Sequence, residues 1–278
     1  MVPPRSMTAH RPIYKPVRSV ERAFSVLRAV NVLSDASVEA VAKTTGLSWA
    51  TALRMLETLE GLGYVRRGAG GGKFRPAIGV RALSDGFRDE TWISEVAGPG
   101  LERLTEKFGW PAIFSTLDGT EMMVRESTQS KTALAIERGM LGRRVPLLTS
   151  SGGRAYLSHT SEAEREHLLS LLRQKGGDDE KFVNSTAFTR MMRQIRRDGY
   201  AQRYRGTMPL TSSIAVPVMF NDHIVGCITI IWIASAISMQ DAASRYLRPL
   251  QGLAKDLASQ STRLNSIAGT TSSGPEPL

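Results

Sequence analysis

Cysteine is nearly absent from this chain. Cys227 stands alone, so neither an internal disulfide framework nor a cysteine-based zinc site is available. The four histidines, His10, His159, His167 and His223, are scattered with no pair at metal-ligand spacing. Together these scarcities predict a cytosolic protein without metal or cofactor. Long apolar runs are lacking too. The longest, residues 224–236, contains Gly226 and Thr229; it is too short to span a bilayer and reads as a buried strand, so no membrane partner is expected. Acidic residues are missing from positions 1–18, which carry Arg5, Arg11, Lys15 and Arg18. No apolar segment follows them, so residues 1–16 read as a flexible basic arm and not as a signal peptide. Residues 268–278, rich in Gly, Ser, Thr and Pro, read as a disordered tail.

What is present suits a globular chain of two domains. Of 278 residues, 41% are hydrophobic and 22% charged, enough to build real cores. The net charge of +10 is unevenly placed. Residues 1–88 hold 14 Lys/Arg against 6 Asp/Glu, whereas residues 89–278 hold 22 against 20. A basic head on a near-neutral body points to a polyanion-binding domain joined to a domain with another task.

The head has a legible pattern. Residues 20–33 place Ala23, Phe24, Leu27, Val30 and Val32 at helical spacing. Ser37 is positioned to cap a short second helix over 38–45, which Gly46 ends, and Ser48 to cap a third helix reaching about Leu62. On that third helix Ala52, Leu53, Leu56, Leu59 and Gly63 share one face, with Thr51, Arg54 and Thr58 opposite. The wheel puts Trp49 on the inward side, as a packing residue. Residues 64–67 and 73–75 then read as two short strands around a glycine loop, a wing whose base carries Arg66, Arg67, Lys73 and Arg75. This is a winged helix-turn-helix pattern over residues 17–76, with a linker helix over 78–87 within the span 77–90. A stripe of Ser48, Thr51 and Arg54 is small enough to enter a major groove, where Arg54 meets either a guanine edge or a phosphate. The wing cations suit phosphates.

The body, residues 91–267, mixes both periodicities. Helices are expected over 91–108 (weakened at Gly98-Pro99-Gly100), 153–158, 162–174 and 187–197, and from Met239 to about Leu264 behind a Ser238 cap, with a kink at Pro249. Strands are expected over 112–117, 121–126, 133–137, 213–220 and 223–233, with turns at Asp118-Gly119 and Asn221-Asp222. The fold class is therefore α+β, with a mainly antiparallel sheet covered by helices in the body. Ser150-Ser151-Gly152-Gly153 matches neither a phosphate loop nor a nucleophile elbow, and no histidine stands as its base; a ligand-cradling turn before a helix is the better reading. No catalytic residue is assigned. Asp178-Asp179-Glu180 reads as a solvated loop and Cys227 as a small core residue. Arg203 and Arg205 are ambiguous from the residues alone: each reads as solvated, yet a sensor of an organic acid needs a cation.

The strings RSVERAFSVLRAVN and VEAVAKTTGLSWATALRMLETLEGLGYVRR resemble the IclR-type transcriptional regulators. The resemblance continues through LGRRVPLL, SSGGRAYLS, DGYAQRYRG, SSIAVPV and IVGCITII, over roughly residues 17–265. Within the family, RALSDGFRDETWIS, STLDGTEMMVRES and DGYAQRYRG are most similar to the subgroup that activates 3-(3-hydroxyphenyl)propionate catabolism. The resemblance implies a winged helix, a linker helix and a GAF-like effector domain that assembles as a homodimer or homotetramer. It implies double-stranded operator DNA and a small carboxylate effector as partners, with RNA polymerase as a further one. DNA-reading positions carry over to Ser48, Trp49, Ala50, Thr51 and Arg54, and DNA contact is also expected of Arg18 and the wing cations. Pocket positions carry over to Ser151, Gly152, Arg203, Ser213, Thr229 and Ile231. The family usually has a basic residue at Trp49 and a polar one at Ala50, and often serine at Ile231 and glycine at Trp232. The last two departures imply an effector bulkier and less polar than a two- or three-carbon acid. The rival expectations are a repressor released by a short hydroxy acid or semialdehyde, an enzyme working in the C-terminal cleft, and an architectural DNA-binding protein.

Overall fold

The computed structural model describes residues 15, 17–68, 72–83, 93–174, 182–206 and 208–270. The chain divides into two compact units, residues 1–87 and 88–278.

In the first unit, helix α1 (Arg18–Leu33) ends at Ser34, and strand β1 (Ala36–Ser37) leads directly into α2 (Val38–Thr45). The Ser37 hydroxyl accepts the Ala40 N–H, and Gly46 closes α2 at φ 68°, a left-handed conformation that glycine adopts without penalty. Ser48 caps α3 (Trp49–Gly61) by accepting the Thr51 N–H. Strands β2 (Val65–Arg67) and β3 (Lys73–Pro76) form the wing, and β1 adds to its outer side, giving an antiparallel sheet in the order β1-β3-β2. Two-residue β1 carries no periodicity and escapes sequence reading. The alternation Lys73-Phe74-Arg75 aims both cations outward and Phe74 into a core shared with Val26, Val30, Val41 and Leu56. Of the linker helix, the described part is α4 (Gly79–Ala82); residues 84–92 lie outside the described residues. So do most of the arm, the tip of the wing, the 178–180 acidic loop and residues 271–278.

In the second unit, a π-helical turn (Ile93–Ala97) precedes α5 (Gly98–Phe108), so the irregularity expected at the Gly-Pro-Gly run falls just before it. Six antiparallel strands follow in the order β6-β5-β4-β9-β8-β7: β4 (Ala112–Asp118), β5 (Glu121–Ser127), β6 (Arg144–Pro146), β7 (Ala201–Tyr204), β8 (Thr211–Phe220) and β9 (His223–Ile233). A 3-10 turn (Gln129–Lys131) follows β5. Alternation along the strands separates two cores. Ile214, Val216, Ile228, Ile230 and Trp232 face α5 and α9 (Met239–Thr270). Ile113, Ala201, Ala215 and Cys227 face α6 (Ser151–His159), α7 (Glu162–Gln174) and α8 (Thr186–Asp198). The unit is an antiparallel sheet between two helical layers, and none of the described helices is long and apolar enough to cross a membrane.

Two expectations for this unit are corrected. Residues 133–137 are not a strand but turns and bends, because the edge of β5 is taken by β6, through Glu121↔Pro146, Met122↔Val145 and Met123↔Arg144. The closing helix runs to Thr270, beyond Leu264 and into the stretch read as tail; Pro249 lies inside it.

Glycine at 153 is required by space. A Cβ there would lie 2.5 Å from Leu147 Cα and closer still to the Leu147 carbonyl, both backbone atoms that cannot rotate away. At Gly252 in α9 a Cβ meets nothing within 4 Å. Gly153→Ala is therefore expected to destabilise the second unit by at least the ~1–3 kcal/mol of an overpacked core. Gly252→Ala is expected to stabilise it by up to ~1 kcal/mol through helix propensity. Denaturant titration of the full-length variants measures both, and a harmless Gly153→Ala would contradict the seating of α6.

Candidate functional site

The head presents the N-terminal turn of α3 to solvent. Ser48, Trp49, Ala50 and Arg54 are exposed and Thr51 is half-buried, while Ala52, Leu56 and Leu59 are buried. Trp49 corrects the wheel: it is 50% exposed, and its indole N–H donates to Glu39 Oε1 at 3.1 Å. It is the first residue of α3, and α2 supplies a carboxylate for its indole in place of an apolar slot for the ring. That hydrogen bond, together with one from the residue's own backbone N–H, which is the larger effect, holds the Glu39 carboxyl below its ordinary pKa. Arg18 lies exposed in the first turn of α1.

The four wing cations are all exposed but not equally available. Arg67 pairs with Glu60 at 3.0 Å and Glu57 at 3.4 Å, and its guanidinium lies 4.8 Å from the centre of the Phe74 ring. Arg75 makes a two-pronged pair with Asp35, both bonds 2.9 Å, and hydrogen bonding to this guanidinium pulls the Asp35 carboxyl below its ordinary pKa. Asp35 sits immediately before β1, so the strand missed in the sequence is what delivers Arg75's partner. Arg54, Arg66 and Lys73 make no ion pair among the described residues.

In the second unit the six expected pocket residues come together. Register puts Arg203 opposite Ser213 and Ser213 opposite Ile231, one row across β7, β8 and β9. Thr229, two residues before Ile231, shares its face and pairs with Ile113 of β4. The start of α6 lies over this row. Ser151 Oγ is 2.8 Å from Ser213 Oγ, and the Cys227 thiol donates to the Gly152 carbonyl at 3.2 Å. Ser150 caps the helix by accepting the Gly153 N–H at 3.0 Å. The amides of Ser151 and Gly152, in the first turn, have no acceptor within the helix. Ser151, Gly152, Arg203, Ser213, Thr229 and Ile231 thus line one pocket, completed by Ile113, Ser115, Met140, Val145, Pro146, Ser150 and Met208. It is tight: the centre of a water-sized sphere has ≈ 40 Å³ in which to move.

Arg203, which reads as solvated in isolation, is only 6% exposed. Its Nη1 donates to the carbonyls of Arg205, Met208 and Thr211, and its Nη2 to Thr211 Oγ1. No carboxylate pairs with it among the described residues. Burial pulls its pKa below the usual arginine value; the field of Glu137 opposes that and Arg154 reinforces it. Arg154 is itself partly buried, donating to Leu148 O and Gln202 O. Thr229 Oγ1 is buried with no hydrogen-bond partner among the described residues. Arg205 is exposed. Cys227 is wholly buried, and that burial pushes its thiol pKa up, as expected of an inert core residue. Trp232 corrects a further inference: it points to the opposite face, with its ring against Tyr246 and its Nε1 donating to Ile237 O. Strand alternation forbids neighbours 231 and 232 from both facing this pocket, so the aromatic at 232 gives no measure of effector size there.

Comparison with known proteins completes the picture. Residues 88–259 match the model described as bacterial transcriptional regulator IclR C-terminal, and residues 19–69 the IclR helix-turn-helix domain. The chain belongs to the IclR family of transcriptional regulators. It is 27% identical over 205 residues to the HTH-type transcriptional regulator XynR of Escherichia coli, covering 73% of this chain and 80% of that protein. Among solved structures, the Thermotoga maritima IclR aligns with TM-score 0.62 at 20% identity, over 87% of this chain and 98% of that one. An IclR homologue from Microbacterium hydrocarbonoxydans, in complex with 4-hydroxybenzoate, aligns with TM-score 0.55 at 20% identity, again over 87% and 98%. The first unit is thus the DNA-binding head of an IclR regulator and the second its effector domain.

Met140, Val145 and Met208 line the pocket from irregular or edge segments and escape sequence reading, since no periodicity marks them. The ion pairing of the wing refines what the head's charge does. Each phosphate contact contributes a slope of about −0.9 in log K against log salt. Arg66→Ala and Lys73→Ala are each expected to flatten that slope by about 0.9, and Arg67→Ala by clearly less, because Glu57 and Glu60 already hold its charge. Anisotropy titrations at several salt concentrations read this out; equal flattening by all three would show that the Arg67 pairs open on DNA.

Proposed function

We propose that this IclR-family protein controls an aromatic-acid catabolic operon, of the phenylpropionate-like class, through a monocarboxylate bound in the Arg203 pocket. The observation that carries the reading is a buried guanidinium without a carboxylate partner, close to the open amides of a helix start. A carboxylate supplies the missing charge for Arg203 and acceptors for the Ser151 and Gly152 amides. Ile113, Ile231, Met140 and Met208 offer an apolar wall for a ring. The 4-hydroxybenzoate complex of the Microbacterium homologue supports this reading, as an aromatic acid held by a protein of the same fold.

The protein acts as a homodimer or homotetramer on a pseudo-palindromic operator, with Ser48, Trp49, Ala50, Thr51 and Arg54 at base edges and Arg18, Arg66, Arg67, Lys73 and Arg75 along phosphates. The pocket's small free volume gives the mechanism. A ring does not enter until the flexible side chains of Met140 and Met208 move, so the filled and empty domains differ in arrangement. The effector favours one arrangement over the other, and that difference in affinity is what shifts operator or polymerase contact; equal affinity would shift nothing. A second reading is favoured by the same small volume: ≈ 40 Å³ as it stands suits a short hydroxy acid releasing a repressor.

Gly152→Ala tests the pocket. A Cβ at 152 would lie 3.3 Å from Ser115 Oγ and 3.5 Å from Thr229 Oγ1, tight but tolerable, and it projects among pocket-lining groups. The variant is expected to fold, to bind operator without effector as wild type does, and to lose at least ~10-fold in affinity for 3-phenylpropionate, about 1.4 kcal/mol. Calorimetric titration against 3-phenylpropionate, benzoate and glyoxylate measures it. Unchanged affinity in the variant would place the site elsewhere, and binding of glyoxylate alone would favour the short-acid repressor.

A further inference from the structure

The start of α3 carries an apolar tip on a basic head. Trp49 is 50% exposed, and Ala50 beside it is exposed as well. An indole has a single polar atom, its N–H, and in Trp49 that group is spent on Glu39 Oε1 at 3.1 Å. What the side chain still offers to solvent is hydrocarbon. The hydroxyls alongside are partly spent too. Ser48 Oγ accepts the Thr51 N–H at 3.3 Å and lies 2.9 Å from Thr51 Oγ1, so the pair shares one O–H internally and keeps one to offer.

Glu39 stands in the first turn of α2, where a carboxylate suits the helix dipole. It is also exposed beside the first residue of α3, where a negative charge opposes the attraction of phosphates. Its bond to Trp49 gives it a second role there. Without that acceptor the indole N–H would itself seek a base edge or a phosphate, and the ring would turn with it. Of the four bases only thymine presents a methyl group in the major groove, next to its O4 acceptor. An apolar tip with one spare hydroxyl proton matches that edge. Cytosine offers an amino donor without a methyl, and the purines offer N7 with O6 or N6. Exposed Arg54, one turn beyond Ala50, is the group on this helix suited to a guanine.

We propose that Trp49, with Ala50, reads the 5-methyl group of a thymine in the operator, and that Glu39 is the positioning residue that keeps this contact apolar by taking the indole N–H. The spare O–H of the Ser48–Thr51 pair serves the adjacent O4. The proposal rests on the reading that the start of α3 meets base edges, and it adds which base that turn selects.

Replacing thymine by uracil removes that methyl and nothing else. The full-length protein selects duplexes from a randomised pool. Each thymine of the selected duplex is then replaced singly by deoxyuridine, and binding is titrated by fluorescence anisotropy. At one thymine position or more, wild type is expected to lose about 4-fold in affinity, the worth of one buried methyl. In Trp49→Ala the difference between thymine and uracil should vanish at that position. Glu39→Gln keeps the acceptor and should keep the difference, whereas Glu39→Ala frees the indole and should shrink it. The readout is a ratio within one variant, so a general loss of affinity or of folded protein does not mimic it. A selected duplex in which no thymine shows the penalty overturns the proposal, as does a penalty that survives Trp49→Ala. A ratio unchanged in Glu39→Ala overturns the part given to Glu39. The reading of α3 itself fails separately, and this proposal with it, if no duplex is enriched or if neither Trp49→Ala nor Arg54→Ala alters any base preference.

Discussion

A guanidinium buried without a carboxylate governs the architecture around the pocket of the second unit. Taking a cation out of water is expensive, and the protein repays part of that at Arg203 with three carbonyls and one hydroxyl, all from residues 205–211. These bonds fold the segment between β7 and β8 back over the strand, which brings Met208 into the pocket wall. Acceptor dipoles solvate a charge but do not neutralise it. Desolvation is the main pressure on the Arg203 charge; the field of Glu137 relieves it and the smaller field of Arg154 adds to it. The start of α6 lies beside it, where Gly152 lets the helix approach Ser115 and Thr229 of the sheet and Gly153 lets it pass the Leu147 backbone. The pocket we propose for the effector follows from one buried charge without a carboxylate partner among the described residues and from the packing that holds a helix terminus beside it.

The head uses its charge differently. An excess of basic residues over a whole domain suggests a continuous electrostatic footprint, yet two of the four wing cations are occupied by acids of the same unit. Arg67 and Arg75 brace the wing, through Glu57 and Glu60 on α3 and through Asp35 at β1. This division ties the strands of the hairpin to the helices while Arg66 and Lys73 make no ion pair among the described residues. Exposed pairs of this kind contribute little stability, and their effect is on direction and rigidity.

Most of the fold was legible because local chemistry and tertiary packing agree. Ser37, Ser48 and Ser238 cap the helices they were expected to cap, Gly46 ends α2, and the long strands β8 and β9 announce themselves by apolar, β-branched runs around Asn221-Asp222. What failed depended on information outside the local window. Residues 133–137 alternate like a strand but find the β5 edge already taken. Trp49 reads as a core residue until the position of Glu39 is known. Arg203 reads as solvated because nothing in DGYAQRYRG reveals that the chain will fold back over it. Ser151 and Gly152 stood out as a turn before a helix and Arg203 as an ambiguous cation, but Ser213, Thr229 and Ile231 were reached only through family resemblance, because Arg203, Ser213 and Ile231 become neighbours only through sheet register.

The central claim is that a carboxylate completes the buried charge of Arg203, and charge removal without change of shape addresses it directly. The full-length protein is titrated calorimetrically with 3-phenylpropionate and with its uncharged amide, 3-phenylpropanamide. A carboxylate that pairs with a desolvated guanidinium should bind more tightly than the amide by about 100-fold, close to 3 kcal/mol for a charge-assisted hydrogen-bonded contact. Equal affinity for acid and amide would show that the pocket reads shape alone, and would contradict the account.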